Sequence, residues 1–121
     1  MDDAVMLFNT KLKALLWELN SNLAGSKFVY ADIYHIALDL INNYQSYGFE
    51  NNDSACCRGL GTYGGLGLCR PSSEVCSDRT KYIFWDLGLP SEAVKLLVSN
   101  RLLDSDSKDI YPMNIRQLYN S

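Results

Sequence analysis

Seven apolar residues near the start of the chain, Val5, Phe8, Leu12, Leu15, Leu16, Leu19 and Leu23, recur at spacings of three and four. Lys11, Lys13, Glu18 and Asn20 lie between them. That period predicts an amphipathic helix, with Gly25 as its stop. The pattern then changes. KFVYADI (27–33) is a short apolar run rich in β-branched and aromatic residues, which predicts a buried strand. Helical spacing returns at Ala37, Leu40, Ile41 and Tyr44, and Gly48 followed by apolar Phe49 predicts a left-handed helix end. Residues 49–79 lose all periodicity and, rich in Gly, Ser, Asn and Cys, read as one long loop. KYIFWD (81–86) predicts a second strand. Ser91 is placed to cap a helix whose apolar positions include Val94, Leu97, Val98 and Leu102. The tail DSDSKDIYPMNIRQLYN (104–120) starts polar and then carries Ile110, Tyr111, Met113, Ile115 and Leu118, which predicts an extended arm packed back on the body.

Strands alternating with helices imply parallel pairing through right-handed crossovers. Two strands are too few for a parallel sheet, which is normally wider and buried on both faces. The expectation is an α/β chain with about two parallel strands, flanking helices and a Cys-rich loop, forming part of a larger sheet. The strand KFVYADI is then expected to expose the face that neighbouring strands would cover, making it prone to association.

Composition narrows the functional classes. The 121 residues are 47% hydrophobic and 21% charged, as in a globular domain, and the formal net charge is −3. No basic patch favours nucleic acid as a partner. No apolar run approaches the ~20 residues of a membrane-spanning helix. The opening MDDAVMLFNTKLK carries acids where a secretory leader would carry a basic segment, so no export signal is expected in it. The four cysteines, Cys56, Cys57, Cys69 and Cys76, argue the other way, because an even, clustered set suggests disulfides made in an oxidising compartment. The sequon Asn52-Asp53-Ser54 points weakly in the same direction. Adjacent cysteines seldom bridge each other, so Cys56 and Cys57 should each reach one of Cys69 and Cys76, in either combination. Zinc fits these spacings poorly, since structural sites use pairs separated by two to four residues; no metal or other cofactor is expected.

Several motifs resolve to structural readings. Gly59, Gly61 and Gly64 spell G-x-G-x-x-G, but no strand precedes them and no helix pattern follows, as a dinucleotide site requires. LLDSDS (102–107) contains Asp-Ser pairs but reads as a polar linker. His35, the single histidine, follows the first strand and reads as a surface or helix-start residue. Tyr82, Phe84 and Trp85 read as residues of the last strand, with Trp85 a lesser candidate for lining an acyl pocket.

FWDLGLPSE (84–92) is the stretch with chemistry in it: a strand end delivering Asp86 to a turn, with Leu89 three residues on and Pro90 next. This stretch, with YADIYHIALDLINNYQSYGFE, ACCRGLGTYGGLGLC, VCSDRTKYIFWD, PSEAV and the closing YPMNIRQL, resembles in order and spacing the C-terminal region of plant GDSL esterase/lipases, serine hydrolases of the SGNH type. The resemblance covers essentially residues 1–121 and implies a partial SGNH hydrolase domain, the C-terminal portion of a flavodoxin-like sheet. It also implies secretion and hydrolysis of carboxylic esters of lipid type. In that family a Gly-Asp-Ser block supplies the nucleophile, two middle blocks supply a Gly and an Asn to the oxyanion hole, and the last block reads Asp-x-x-His followed by Pro. Asp86 and Pro90 match the last block, Leu89 stands at the His position, and the first three blocks have no counterpart here. Serine is a poor nucleophile without an imidazole to take its proton, so Asp86 is expected to be a vestigial triad acid and the chain inactive by itself. Two further readings follow from the resemblance: an interaction module that pairs with a related hydrolase, and an incomplete gene reading of a working ester hydrolase.

Overall fold

The computed structural model describes residues 2–106 and 108–121. Contacts divide the chain into two compact units, Met1–Asp32 with Leu102–Ser121, and Ile33–Arg101.

The first unit opens with α1 (Asp2–Asn22), the helix expected from the apolar stripe. Gly25 has φ of +80°, the left-handed geometry that reverses the chain after the helix. Asn20 then holds the returning chain, its side chain donating to the Phe28 carbonyl and accepting from the Phe28 amide, both at 2.8 Å. Of the seven residues expected as strand, only Tyr30–Ala31 (β1) takes that form. Its partner is the tail: β1 pairs antiparallel with β6 (Ile110–Tyr111), and the Asp32 amide donates to the Asp109 carbonyl at 2.7 Å. Tyr30 packs against Tyr111 with ring centroids 5.4 Å apart, and the Lys13 ammonium lies 5.1 Å from the Tyr30 ring and 5.8 Å from the Tyr111 ring. The tail packs back, as expected, but closes as a helix rather than an extended arm. In α4 (Ile115–Tyr119) Asn114 and Gln117 form a reciprocal capping box. Within the LLDSDS stretch, Asp104 pairs with Arg116, and Ser107 lies outside the described residues.

The second unit starts with α2 (Ile33–Asn42), which buries Ile36 and Leu40. A 3-10 turn (Tyr44–Tyr47) follows, closed by Gly48 at φ of +88° with Phe49 buried just beyond, as the sequence pattern predicts. The segment expected to be one long loop contains three short strands: β2 (Asn51–Ala55), β3 (Cys57–Arg58) and β4 (Glu74–Val75). β3 pairs antiparallel with β4. β2 pairs parallel with β5 (Tyr82–Phe84), in register Asn51↔Tyr82 and Ala55↔Phe84. The α/β class with a two-stranded parallel pair therefore holds. Its members differ from the expectation: KYIFWD takes its parallel partner from the presumed loop, and KFVYADI takes an antiparallel one from the tail. Asn-Asn-Asp-Ser-Ala carries little intrinsic strand preference, and pairing with β5 imposes the extended form. Finally α3 (Glu92–Asp104) follows, its last residues belonging to the first unit.

The apolar surface left open also differs from the expectation. Tyr30 of β1 is buried and its neighbours Phe28 and Val29 are half-buried, whereas Val5, Phe8 and Leu15 of α1, and Leu23 just after it, are exposed.

Candidate functional site

The site is a tight reversal of the chain after β5. Ile83 is buried in the pair with β2, and the chain turns at 85–89 and runs back along the strand it has just left. The Trp85 amide donates to the Leu89 carbonyl at 3.0 Å, Phe84 bridges to Pro90, and the Ser91 amide donates to the Ile83 carbonyl at 2.8 Å. Ser91 is buried and its hydroxyl accepts from the Val94 amide at 3.3 Å, capping α3 as its position in the sequence predicts.

Asp86 is buried at the centre of this reversal. Oδ2 accepts from the Cys69 amide at 2.8 Å, while Oδ1 accepts from the Gly88 and Leu89 amides at 2.9 and 3.0 Å. Its pKa lies below the ordinary carboxylate value. The Cys69 amide is the chief cause, burial opposes it, and the Gly88 and Leu89 amides and the charge of Lys95 add to the lowering. Hydrogen bonds to the charged form outweigh the cost of removing it from water.

The Cys69 amide reaches Asp86 because the Cys-rich segment is fastened beside the turn. Hydrogen bonds between the two segments continue past β2, the Cys56 amide donating to the Phe84 carbonyl at 3.0 Å and the Cys57 amide to the Trp85 carbonyl at 2.8 Å. Two disulfides then close the segment, Cys56–Cys76 and Cys57–Cys69, which decides between the two combinations open to the sequence. All four sulfurs are thereby removed as thiolate ligands. Among the described residues no group of His, Cys, Asp and Glu is arranged to hold a metal ion. The glycine string forms a small hairpin inside this segment, with Leu60 bridged to Leu66 and left-handed φ values of +87° at Gly61 and +68° at Gly64.

Leu89 is half exposed and forms a wall of a groove of about 370 Å³, whose other lining includes Trp85, Pro90, Ala93, Leu96, Arg79 and Lys95. The Arg79 guanidinium stands 5.1 Å from the Trp85 ring. Trp85 thus lies half-buried beside the turn, at the groove. The hydroxyls at the groove are engaged elsewhere: Ser91 caps α3, and Thr80 donates to Asp78 at 2.6 Å. His35 sits exposed in the first turn of α2. The sequon falls in β2, where the Asn52 side-chain nitrogen, the atom a glycan would occupy, donates to the Ile41 carbonyl at 3.2 Å.

A second polar cluster lies in the same unit and carries no sequence signature. Asp39 on α2 accepts from Arg101 on α3 at 2.6 Å, from the Tyr47 hydroxyl and from Asn43 at 2.8 Å. Its pKa is lowered to about 2, first by the Tyr47 hydroxyl and then by Arg101. Asn43 is only four residues away, but Tyr47 and Arg101 are 8 and 62 residues from Asp39.

No family model matches the chain, and no solved structure matches it. Curated proteins do. A GDSL esterase/lipase of Arabidopsis thaliana is 51% identical over 119 residues, which is 98% of this chain and 32% of the relative. Two others from the same plant, also named GDSL esterase/lipases, are 44% and 43% identical over 92% of the chain, covering 29% and 30% of their own lengths. The chain therefore spans about a third of the length of the curated relatives it matches.

Proposed function

The chain belongs to the plant GDSL esterase/lipase family, and from that premise we propose that it represents the C-terminal part of the family's hydrolase domain, with the catalytic turn kept as scaffold and lost as a proton relay. By itself it hydrolyses no ester.

The observation that carries this reading is the pairing of a fully engaged Asp86 with an aliphatic Leu89. The acid is buried, ionised and aimed into the turn by three amides. The residue three positions on, where the family has histidine, carries no proton acceptor. A triad aspartate works by orienting an imidazole and stabilising its charge, so without one it has nothing to act through. Its three amide contacts supply the reason for its retention, since they join the disulfide-closed segment to the turn whether or not chemistry occurs there. Ester or lipid-type substrates belong to this reading only through the family. The two disulfides favour an oxidising, extracytoplasmic setting.

The test is hydrolysis of p-nitrophenyl butyrate by the purified, oxidised chain, with and without a phosphonate that traps activated serines. Turnover should not exceed the buffer rate. Saturable, phosphonate-sensitive turnover would overturn the proposal.

A further inference from the structure

We infer that the cleft bordered by α1, β1 and the tail beyond β6 is a binding site for a small monocarboxylate with an aromatic body. The inference is independent of the state of the Asp86 turn, since every residue it uses belongs to the first unit.

The cleft follows from the way the first unit is tied together. Asn20 fastens the returning chain to α1 through the Phe28 backbone, and β1 then pairs with β6. A space of about 410 Å³ remains among these elements, within the range of small-molecule sites. Leu16, Phe28, Tyr30, Tyr111 and Met113 line it, together with Trp17, which is 77% exposed. Phe28, Tyr30, Tyr111 and Trp17 offer ring faces and edges, which suit a flat aromatic body.

Charge sets the polar end of the ligand. Lys13 and Lys27 also line the cleft, and no Asp or Glu does so among the described residues. Lys13 is held over the Tyr30 and Tyr111 rings and pairs with Asp32 at 3.5 Å. An ammonium carries three donors; Asp32 and Tyr111 engage two, which leaves one for a ligand oxygen. Lys27 is exposed and, among the described residues, is in no ion pair. The Asn20 and Ser21 side chains are already bonded to backbone, so the lysines are the charged groups left to meet a ligand. Two lysines against Asp32 leave one positive charge, which matches a monocarboxylate rather than a multiply charged phosphate.

The experiment titrates the oxidised, 15N-labelled full chain with trans-cinnamate and with its neutral counterpart cinnamyl alcohol. Trp17 and Trp85 are the two tryptophans, and each supplies one indole N–H resonance. Cinnamate should shift the Trp17 resonance saturably and leave that of Trp85 in place. The alcohol should bind at least about ten-fold more weakly, because it lacks the charge-assisted contact. Lys13→Met should weaken cinnamate by about ten-fold or more while leaving the alcohol within about two-fold, a pattern that loss of the fold would not give. Lys27→Met and Trp17→Ala, both at exposed positions, provide variants that do not depend on the Lys13 contacts. By calorimetry the first should weaken cinnamate about three-fold or more, and the second should weaken both compounds about five-fold or more, with unchanged far-UV spectra. Lys95→Met, at the groove beside Leu89, should change nothing. Equal affinity for acid and alcohol would overturn the inference, as would a Trp17 resonance unmoved by cinnamate. A shift of Trp85 abolished by Lys95→Met would place the anion in the groove beside Leu89 and overturn it as well.

Discussion

On the proposed reading, replacing Leu89 with histidine would restore the missing member of the relay pattern, and it asks whether Asp86 is still presented to that position. The Leu89 amide donates to Oδ1 of Asp86, so the backbone at position 89 is tethered to the carboxylate, and the side chain is half exposed at the groove. We assume a separation of about 4 Å between a ring nitrogen and the carboxylate. Opposite unit charges at that distance interact by about 1 kcal/mol in a water-like dielectric, the appropriate limit for so open a site. That corresponds to about 0.7 of a pKa unit, upward, because the negative neighbour favours the protonated ring. The measurement is a proton NMR titration of Leu89→His, with His35 as the second imidazole in the same spectrum, repeated in Leu89→His with Asp86→Asn. The new imidazole should titrate above 6.5 in the first and fall back by about 0.7 unit in the second. The sign carries into stability. A group with a raised folded pKa contributes fully below its unfolded value, so the gain from this ring is present below about pH 6.5 and lost as pH rises through the folded pKa. A midpoint indifferent to Asp86→Asn, with the amide resonances of 85–91 unmoved, would refute the claim that Asp86 is the surviving half of a relay.

The other expectations concern the scaffold. Asp39→Asn should cost about 1–2 kcal/mol in urea unfolding at pH 6, reflecting a carboxyl held at about 2 against an unfolded value near 3.9 with an allowance for partial exposure. Because its folded pKa is depressed, that difference should be complete above pH 4 and vanish as pH falls through about 2; a gap independent of pH would contradict the assignment. Asp86→Asn should make the Cys57–Cys69 bridge reducible at least five-fold more easily by dithiothreitol while Cys56–Cys76 changes little, read by peptide mapping, since only the first bridge holds the residue whose amide binds Asp86. Equal shifts in both would indicate general loosening instead. Ser91→Ala should lower stability by about 1 kcal/mol through loss of the α3 cap, measured by thermal unfolding; no change would show that the cap contributes nothing.

What was legible along the chain was whatever depends on a few consecutive residues. The three- and four-residue spacing of Val5 to Leu23 announces α1, Gly25 and Gly48 mark chain reversals, and Ser91 marks the start of α3. The Cys56-Cys57 adjacency argues against a bridge between the two and leaves two combinations. Asp86, Leu89 and Pro90 stand out because their motif is read within five positions. Other features have no local cause. Asn51–Ala55 is extended because β5 offers it backbone partners, and Tyr30–Ala31 is matched by Ile110–Tyr111 across most of the chain's length. The disulfide combination follows from that ladder, which sets Cys56 and Cys57 beside the end of β5. The lowered pKa of Asp86 needs an amide 17 residues earlier, and that of Asp39 a guanidinium 62 residues later. Helix period, turn residues and caps are enforced by each residue's own torsions and nearest neighbours, so they survive in the linear pattern. Strand partners and the contacts of a buried carboxylate are chosen among distant segments by the energy of the assembled whole, and only the folded chain records that choice.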